Sequence, residues 1–222
     1  MEKKIPLISS QLRRHYVEMP PEVWNASGII IWGKRIKSLV FSTDLAVIRN
    51  CNADAVLAVY PFTPQQVIAD AIIAASYIPV FCGVGGGITG GSRVIALAQD
   101  AEAEGAMGVV VNAPITADII RDMRAVVDIP IVVTVVSENT DITSRIAAGA
   151  SILNISAADR TPYVVERVRK LYPEFPIIAT GGPTGESIKQ TIEAGANAIS
   201  ITPPTTNQLF KKIMTSYRDK QW

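Results

Sequence analysis

Eight short apolar runs, rich in β-branched residues, recur along this chain, and each gap between them is long enough for one helix. They occupy 38–42, 55–60, 79–84, 108–112, 130–136, 151–155, 176–180 and 198–202. None alternates polar with apolar, as expected of strands buried on both faces. The junctions into the runs constrain the reading further. The third, fifth and seventh follow an apolar–Pro pair: Ile78-Pro79, Ile129-Pro130 and Phe175-Pro176. The second, fourth, sixth and eighth follow a turn residue plus Ala: Asn52-Ala53, Gly105-Ala106, Gly149-Ala150 and Gly195-Ala196. The prolines are 51 and 46 residues apart, the turn residues 53, 44 and 46. Junction chemistry in step with strand parity marks a βαβα unit used four times.

Eight βα units in order, joined by right-handed crossovers, predict an α/β chain closed into a (β/α)8 TIM barrel. A doubly wound open sheet competes, but it gives no reason for four-fold modularity. Apolar faces such as Val67, Ile68, Ala71, Ile72 and Ala75, or Leu209, Phe210, Ile213, Met214 and Tyr217, predict the helices. Thr63-Pro64 with Gln66 reads as a capped helix start, and Thr161-Pro162 as another. The last helix is expected to close the barrel by packing against the first. Residues 1–37 read as an N-terminal extension packing on or completing a barrel over 38–222. Within it, 28–33 (GIIIWG) is strand-like, as a first barrel strand or as a hairpin with 38–42, and 10–18 is a candidate short helix flanking the floor.

Composition removes several function classes. The 222 residues carry 21 Lys+Arg against 20 Asp+Glu, so no basic footprint for nucleic acid exists. No apolar run reaches the ~18 residues that a membrane span needs, and the start has no signal-peptide pattern. With only Cys51 and Cys82, neither a disulfide framework nor a zinc cluster is expected, which points to a cytoplasmic globular protein, possible as a homo-oligomer. His15 precedes the patterned region, so hydrolase dyads built on histidine are not expected. Chemistry must rest on carboxylates, hydroxyls, amides and backbone groups.

In such a barrel the active site belongs to the loops that follow the strands. Those loops supply Asp44 and Glu138 as candidate acid or base, with Asn112, Asn154 or Tyr60 to polarise a carbonyl. Asp44 and Asp159 also read as helix caps. No lysine sits at a strand end, which argues against Schiff-base chemistry, and no His–carboxylate set exists there for a transition metal. The carboxylates leave room for Mg²⁺. Gly86, Gly87, Gly90 and Gly91, with Arg93 after them, form a candidate anion loop or a flexible turn.

The run 176–182 (PIIATGG) with 193–198 (EAGANA) resembles the last quarter of phosphate-binding TIM barrels, most closely the ribulose-phosphate-binding group. FMN-binding barrels and regulatory glycerol-uptake antiterminator barrels share features of that ending. The resemblance implies phosphate held by Gly181, Gly182, Thr205 and Thr206 in an enzyme acting on a small phosphorylated metabolite, a lyase or isomerase. It also leaves open an FMN oxidoreductase or a ligand-sensing regulator without catalysis. One departure is plain: Thr202-Pro203-Pro204 stands where the group has a Gly-Ser-like pair, and each proline removes an N–H donor.

Overall fold

All eight runs form strands, each two residues or fewer from its expected ends. The computed structural model describes Pro6, Ile8 and residues 17–219; His15, Trp222 and most of the candidate helix at 10–18 lie outside the described residues. The barrel strands are β3 (Ser38–Phe41), β4 (Ala55–Ala58), β5 (Val80–Gly85), β6 (Gly108–Val111), β7 (Ile131–Val135), β8 (Ile152–Ile155), β9 (Ile177–Thr180) and β10 (Ala198–Ile201). They are parallel and close in the order β10-β3-β4-β5-β6-β7-β8-β9. The helices are α1 (Leu45–Arg49), α2 (Gln66–Ala75), α3 (Ser92–Ala103), α4 (Ala117–Arg124), α5 (Ile142–Ala147), α6 (Thr161–Leu171), α7 (Gly185–Glu193) and α8 (Thr206–Arg218). This is a (β/α)8 TIM barrel.

Because side chains alternate across a strand, two layers form. Leu39, Ala55, Leu57, Phe81, Val110, Val132, Ile152, Ile178 and Ala198 fill the interior. Val40, Val56, Val109, Ile131, Leu153, Ile177 and Ile199 face the helices. The turn residues act as expected at Gly105, Gly149 and Gly195, whose φ values of 94°, 114° and 112° end helices in the left-handed region. Asn52 differs: its carboxamide oxygen accepts the Met19 N–H at 2.7 Å.

The strand-like stretch at 28–33 is neither a barrel strand nor the partner of 38–42. It forms β1 (Ile29–Ile31), antiparallel to β2 (Lys34–Ile36). The two-residue turn between them, Trp32-Gly33, has φ of 46° and 80°, the type I′ geometry that matches strand twist. Ile29, Ile31 and Ile36 are buried with the barrel interior, so this hairpin plugs the floor.

The helix starts are corrected in two places. α2 begins at Gln66 after an uncapped Gln65, so Thr63 caps nothing. Thr161 lies inside the first turn of α6, where its hydroxyl accepts the Ala157 N–H at 2.9 Å. The larger correction is at the end of the chain. No residue of α8 is buried, and Phe210, Met214 and Tyr217 are exposed on it. The last helix therefore does not seal the wall. Its place between α1 and α7 is taken by the chain from Val17 to Asn25. Val17 bridges to Cys51 beyond α1, the 3-10 turn Pro21–Asn25 packs on α7, and Val17, Met19 and Val23 join the outer core.

Candidate functional site

Strand parity decides which side chains reach the barrel mouth. Continuing the interior positions upward gives Asn112 after β6, Thr134 on β7, Asn154 and Ser156 on and after β8, Thr180 on β9 and Ser200 on β10. The mouth is thus lined by amides and hydroxyls on one side. The Thr180 hydroxyl donates to Ser156 Oγ at 3.1 Å. Asn154 Nδ2 donates a long 3.4 Å bond to Thr134 Oγ1. Asn154 is 7% exposed, and its Oδ1 has no hydrogen-bond partner. Arg145 of α5 braces this region, donating to the carbonyls of Thr134 and Ala113. Burial lowers its pKa.

Glu138, in the loop after β7, forms a 2.6 Å ion pair with Arg160 from the loop after β8. The Arg160 guanidinium also lies 5.1 Å from the Tyr163 ring centroid. Asp159 precedes it in the 3-10 turn Ala158–Arg160, where Ala158 takes a φ of 51°.

Asp44 caps α1: its Oδ1 accepts from the N–H groups of Ala46 (2.8 Å) and Val47 (3.2 Å), and Oδ2 accepts from the Thr206 hydroxyl. The Thr206 bond chiefly lowers its pKa below 3.8. A depressed carboxylate contributes stability that is complete above the unfolded pKa and lost as pH falls through the lower folded value. Thermal melts between about pH 6 and about pH 2 should therefore show a shallower acid limb for Asp44→Asn than for wild type. An unchanged limb would show that these bonds are not its source.

The glycine-rich loop closes on itself. The Gly86 N–H donates to the Thr89 carbonyl at 2.8 Å, and a Cβ on Gly86 would lie 2.9 Å from the Asn112 nitrogen. Gly87 and Thr89 line a cleft of about 300 Å³ with Tyr60, Phe62 and Asn112. Gly90 and Gly91 lead into α3, and Arg93 lines a separate, open cleft between α2 and α3. The structure does not bring Arg93 to the glycine amides across one pocket.

The loops after β9 and β10 are partly occupied. The Gly181 N–H donates to Ser200 O at 3.2 Å, and a Cβ on Gly181 would meet Ile199 of β10 at 2.6 Å and Ile188 of α7 at 2.9 Å, so this glycine lets both pack closely. Gly182, at a φ of 75°, lines a cleft of about 500 Å³ with Thr180, Ser200 and Thr202. Thr205 and Gln208 form a capping box on α8, and Thr184 and Ser187 form one on α7. A Cβ on Gly185 would come within 2.5 Å of the Glu22 carboxylate, so a carboxylate already stands against the start of α7. Thr206 is joined to Asp44 instead of facing an anion.

The described side chains form no all-protein metal cage, which is compatible with a Mg²⁺ held by one carboxylate, waters and a substrate oxyanion. Among the described residues no three His, Cys, Asp or Glu converge, Asp44 is capped, and Glu138 is paired. Neither cysteine is a nucleophile: Cys51 and Cys82 are buried, and burial pushes the Cys82 thiol up to about 12. Sequence reasoning missed Ser200, Arg145 and the Glu138–Arg160 pair. Counting parity from Ala198 finds Ser200; nothing local marks the other two.

No protein-family model and no curated protein matches the chain. Solved structures do. A protein from Burkholderia cenocepacia J2315 assigned as a phosphonomutase is 17% identical, with a TM-score of 0.63 over 82% of this chain and 92% of that one. The phosphoenolpyruvate phosphomutase of Streptomyces platensis subsp. rosaceus is 13% identical, with a TM-score of 0.62 over 88% and 83%. The N-acetylneuraminate lyase of Mycoplasma synoviae is 13% identical, with a TM-score of 0.55 over 75% and 63%. At these identities the likeness is one of fold. Among the described residues, no helix is long and apolar enough to cross a membrane.

Proposed function

We propose that this barrel is an enzyme of the lyase, isomerase or mutase kind, acting by acid/base chemistry on a small phosphorylated metabolite at its C-terminal mouth. One observation carries the reading: the buried Asn154 carboxamide, whose Oδ1 has no partner inside a polar mouth. Leaving such a group unpaired costs about 1–3 kcal/mol, which a ligand hydroxyl or N–H would offset once the carboxamide turns toward the mouth. Glu138 is the carboxylate to move the proton, since Asp44 is tied by its cap. Asn112 lines the adjoining cleft and can donate to a carbonyl. First-turn N–H groups of α8 and the Gly182 region are the candidate phosphate contacts. The likeness to a phosphomutase and a lyase supports the class without naming the substrate. Neither ribulose-phosphate chemistry nor FMN draws support from the loops after β9 and β10.

The test is a turnover screen of small phosphorylated and phosphono acids, with Glu138→Gln as the control. The variant should fold and lose about 10²–10⁴-fold in kcat on any substrate found. A substrate turned over equally by wild type and Glu138→Gln removes the carboxylate from the chemistry. Ligand binding without any turnover would leave a sensor instead of an enzyme.

A further inference from the structure

The eight loops that follow the barrel strands carry one cationic residue among them, Arg160. No other Lys or Arg occurs in residues 42–44, 59–65, 86–91, 112–116, 136–141, 156–160, 181–184 or 202–205. The acids in the same loops are Asp44, Glu138, Asp141 and Asp159. Asp44 and Asp141 accept from backbone N–H groups at the starts of α1 and α5. Glu138 instead spans two loops to reach Arg160 at 2.6 Å. Its side chain is 19% exposed and that of Arg160 is 55% exposed, so the carboxylate is the more enclosed partner and the guanidinium still faces solvent. The loop bearing Arg160 turns through Ala158 at a φ of 51°, a conformation a non-glycine residue holds only where its surroundings enforce it.

From this juxtaposition we infer that Arg160 is the binding residue for a substrate oxyanion and that Glu138 occupies it until the substrate arrives. A guanidinium binds a carboxylate or phosphoryl group through two parallel N–H···O bonds, and one of its nitrogens, Nη1, already meets Glu138 Oε1. An incoming oxyanion takes over that fork. The Glu138 carboxylate is then released beside the ligand, able to accept a proton from it. The ligand class is a small metabolite bearing a carboxylate or phosphoryl group next to the reacting carbon. This inference rests on the mouth being the substrate site and adds how an anion is recognised there. It places this anion contact apart from the Gly182 region and the start of α8, where the candidate phosphate contacts lie.

The exchange predicts effects of opposite sign for the two partners. Calorimetric titration with inorganic phosphate and, separately, with glycolate should show tighter binding to Glu138→Gln than to wild type, by about two- to five-fold, because the internal competitor is gone. Arg160→Gln should weaken binding by about ten- to a hundred-fold, and Arg160→Lys should recover only part of it, lacking the planar fork. Thermal melts should show all three variants folded, since the pair is partly exposed. Two results would overturn the inference: Glu138→Gln binding no tighter than wild type, or Arg160→Gln binding as wild type does. Phosphate binding that is indifferent to Arg160→Gln but lost in Gly182→Val would overturn it while leaving the phosphorylated-ligand reading in place. If neither probe binds the wild type at millimolar concentration, both fall together.

Discussion

A chain lacking residues 1–26 is expected to lose cooperative thermal unfolding, whereas one lacking the stretch from Lys211 to Trp222 keeps it. The reason lies in which segment covers the wall between α1 and α7. Val17, Met19 and Val23 are buried there, and burying such a side chain contributes about 1.5–3 kcal/mol. Three of them approach the whole stability of a typical domain, roughly 5–15 kcal/mol. Polar anchors add to this: the Met19 N–H donates to Asn52 Oδ1 at 2.7 Å, and Lys37 Nζ donates to Trp24 O at 2.6 Å. Without the segment, the outer cluster that also holds Val40 and Ile199 loses the Val17, Met19 and Val23 side chains. By contrast, α8 buries no residue, so its removal exposes little. Far-UV circular dichroism melts of both truncates decide the matter. A cooperative transition in the N-terminal truncate, or its loss in the C-terminal one, would return the sealing role to α8.

The strands were legible because each signal is local. A β-branched run and a Gly-Ala or Ile-Pro junction report on their own few residues, and tertiary context did not override them. The sealing of the wall was not legible. Leu209, Phe210, Ile213, Met214 and Tyr217 mark one face of a helix, but periodicity does not say what covers that face. Val17, Met19 and Val23 show no helical period and are broken by Pro20-Pro21, so nothing marked them as a wall. The site divides the same way. Strand-end position brought Asn112, Asn154 and Glu138 to the mouth, because the barrel rule is geometric. The partners that set their chemistry come from elsewhere in the chain. Glu138 meets Arg160 across 22 positions, and Asp44 meets Thr206 across 162. Side-chain pairing over such spans has no local signature.

The second large effect concerns the barrel interior. Phe81→Ala should lower stability by about 3–5 kcal/mol, the range for deleting a fully buried aromatic side chain. Its ring is the largest fully buried side chain of the barrel, packed in one cluster with Leu39, Leu57, Val110 and Val132. The neighbouring strand makes room for it: a Cβ on Gly108 would lie 2.8 and 2.9 Å from two ring carbons. Gly108 is therefore small because Phe81 is large. Gly108→Ala alone should cost about 1–3 kcal/mol by overpacking. Combined with Phe81→Ala it should cost less, since the added methyl enters space that the ring has left. The relief stays partial because the Pro130 carbonyl would still stand 3.0 Å from that Cβ. A double-mutant cycle from urea unfolding should give a favourable coupling of about 1–2 kcal/mol. Additivity within ~0.5 kcal/mol would mean that the carbonyl and not the ring excludes a side chain at Gly108. The glycine would then be set by the approach of β7, and the cost of Phe81→Ala would reflect its cavity alone.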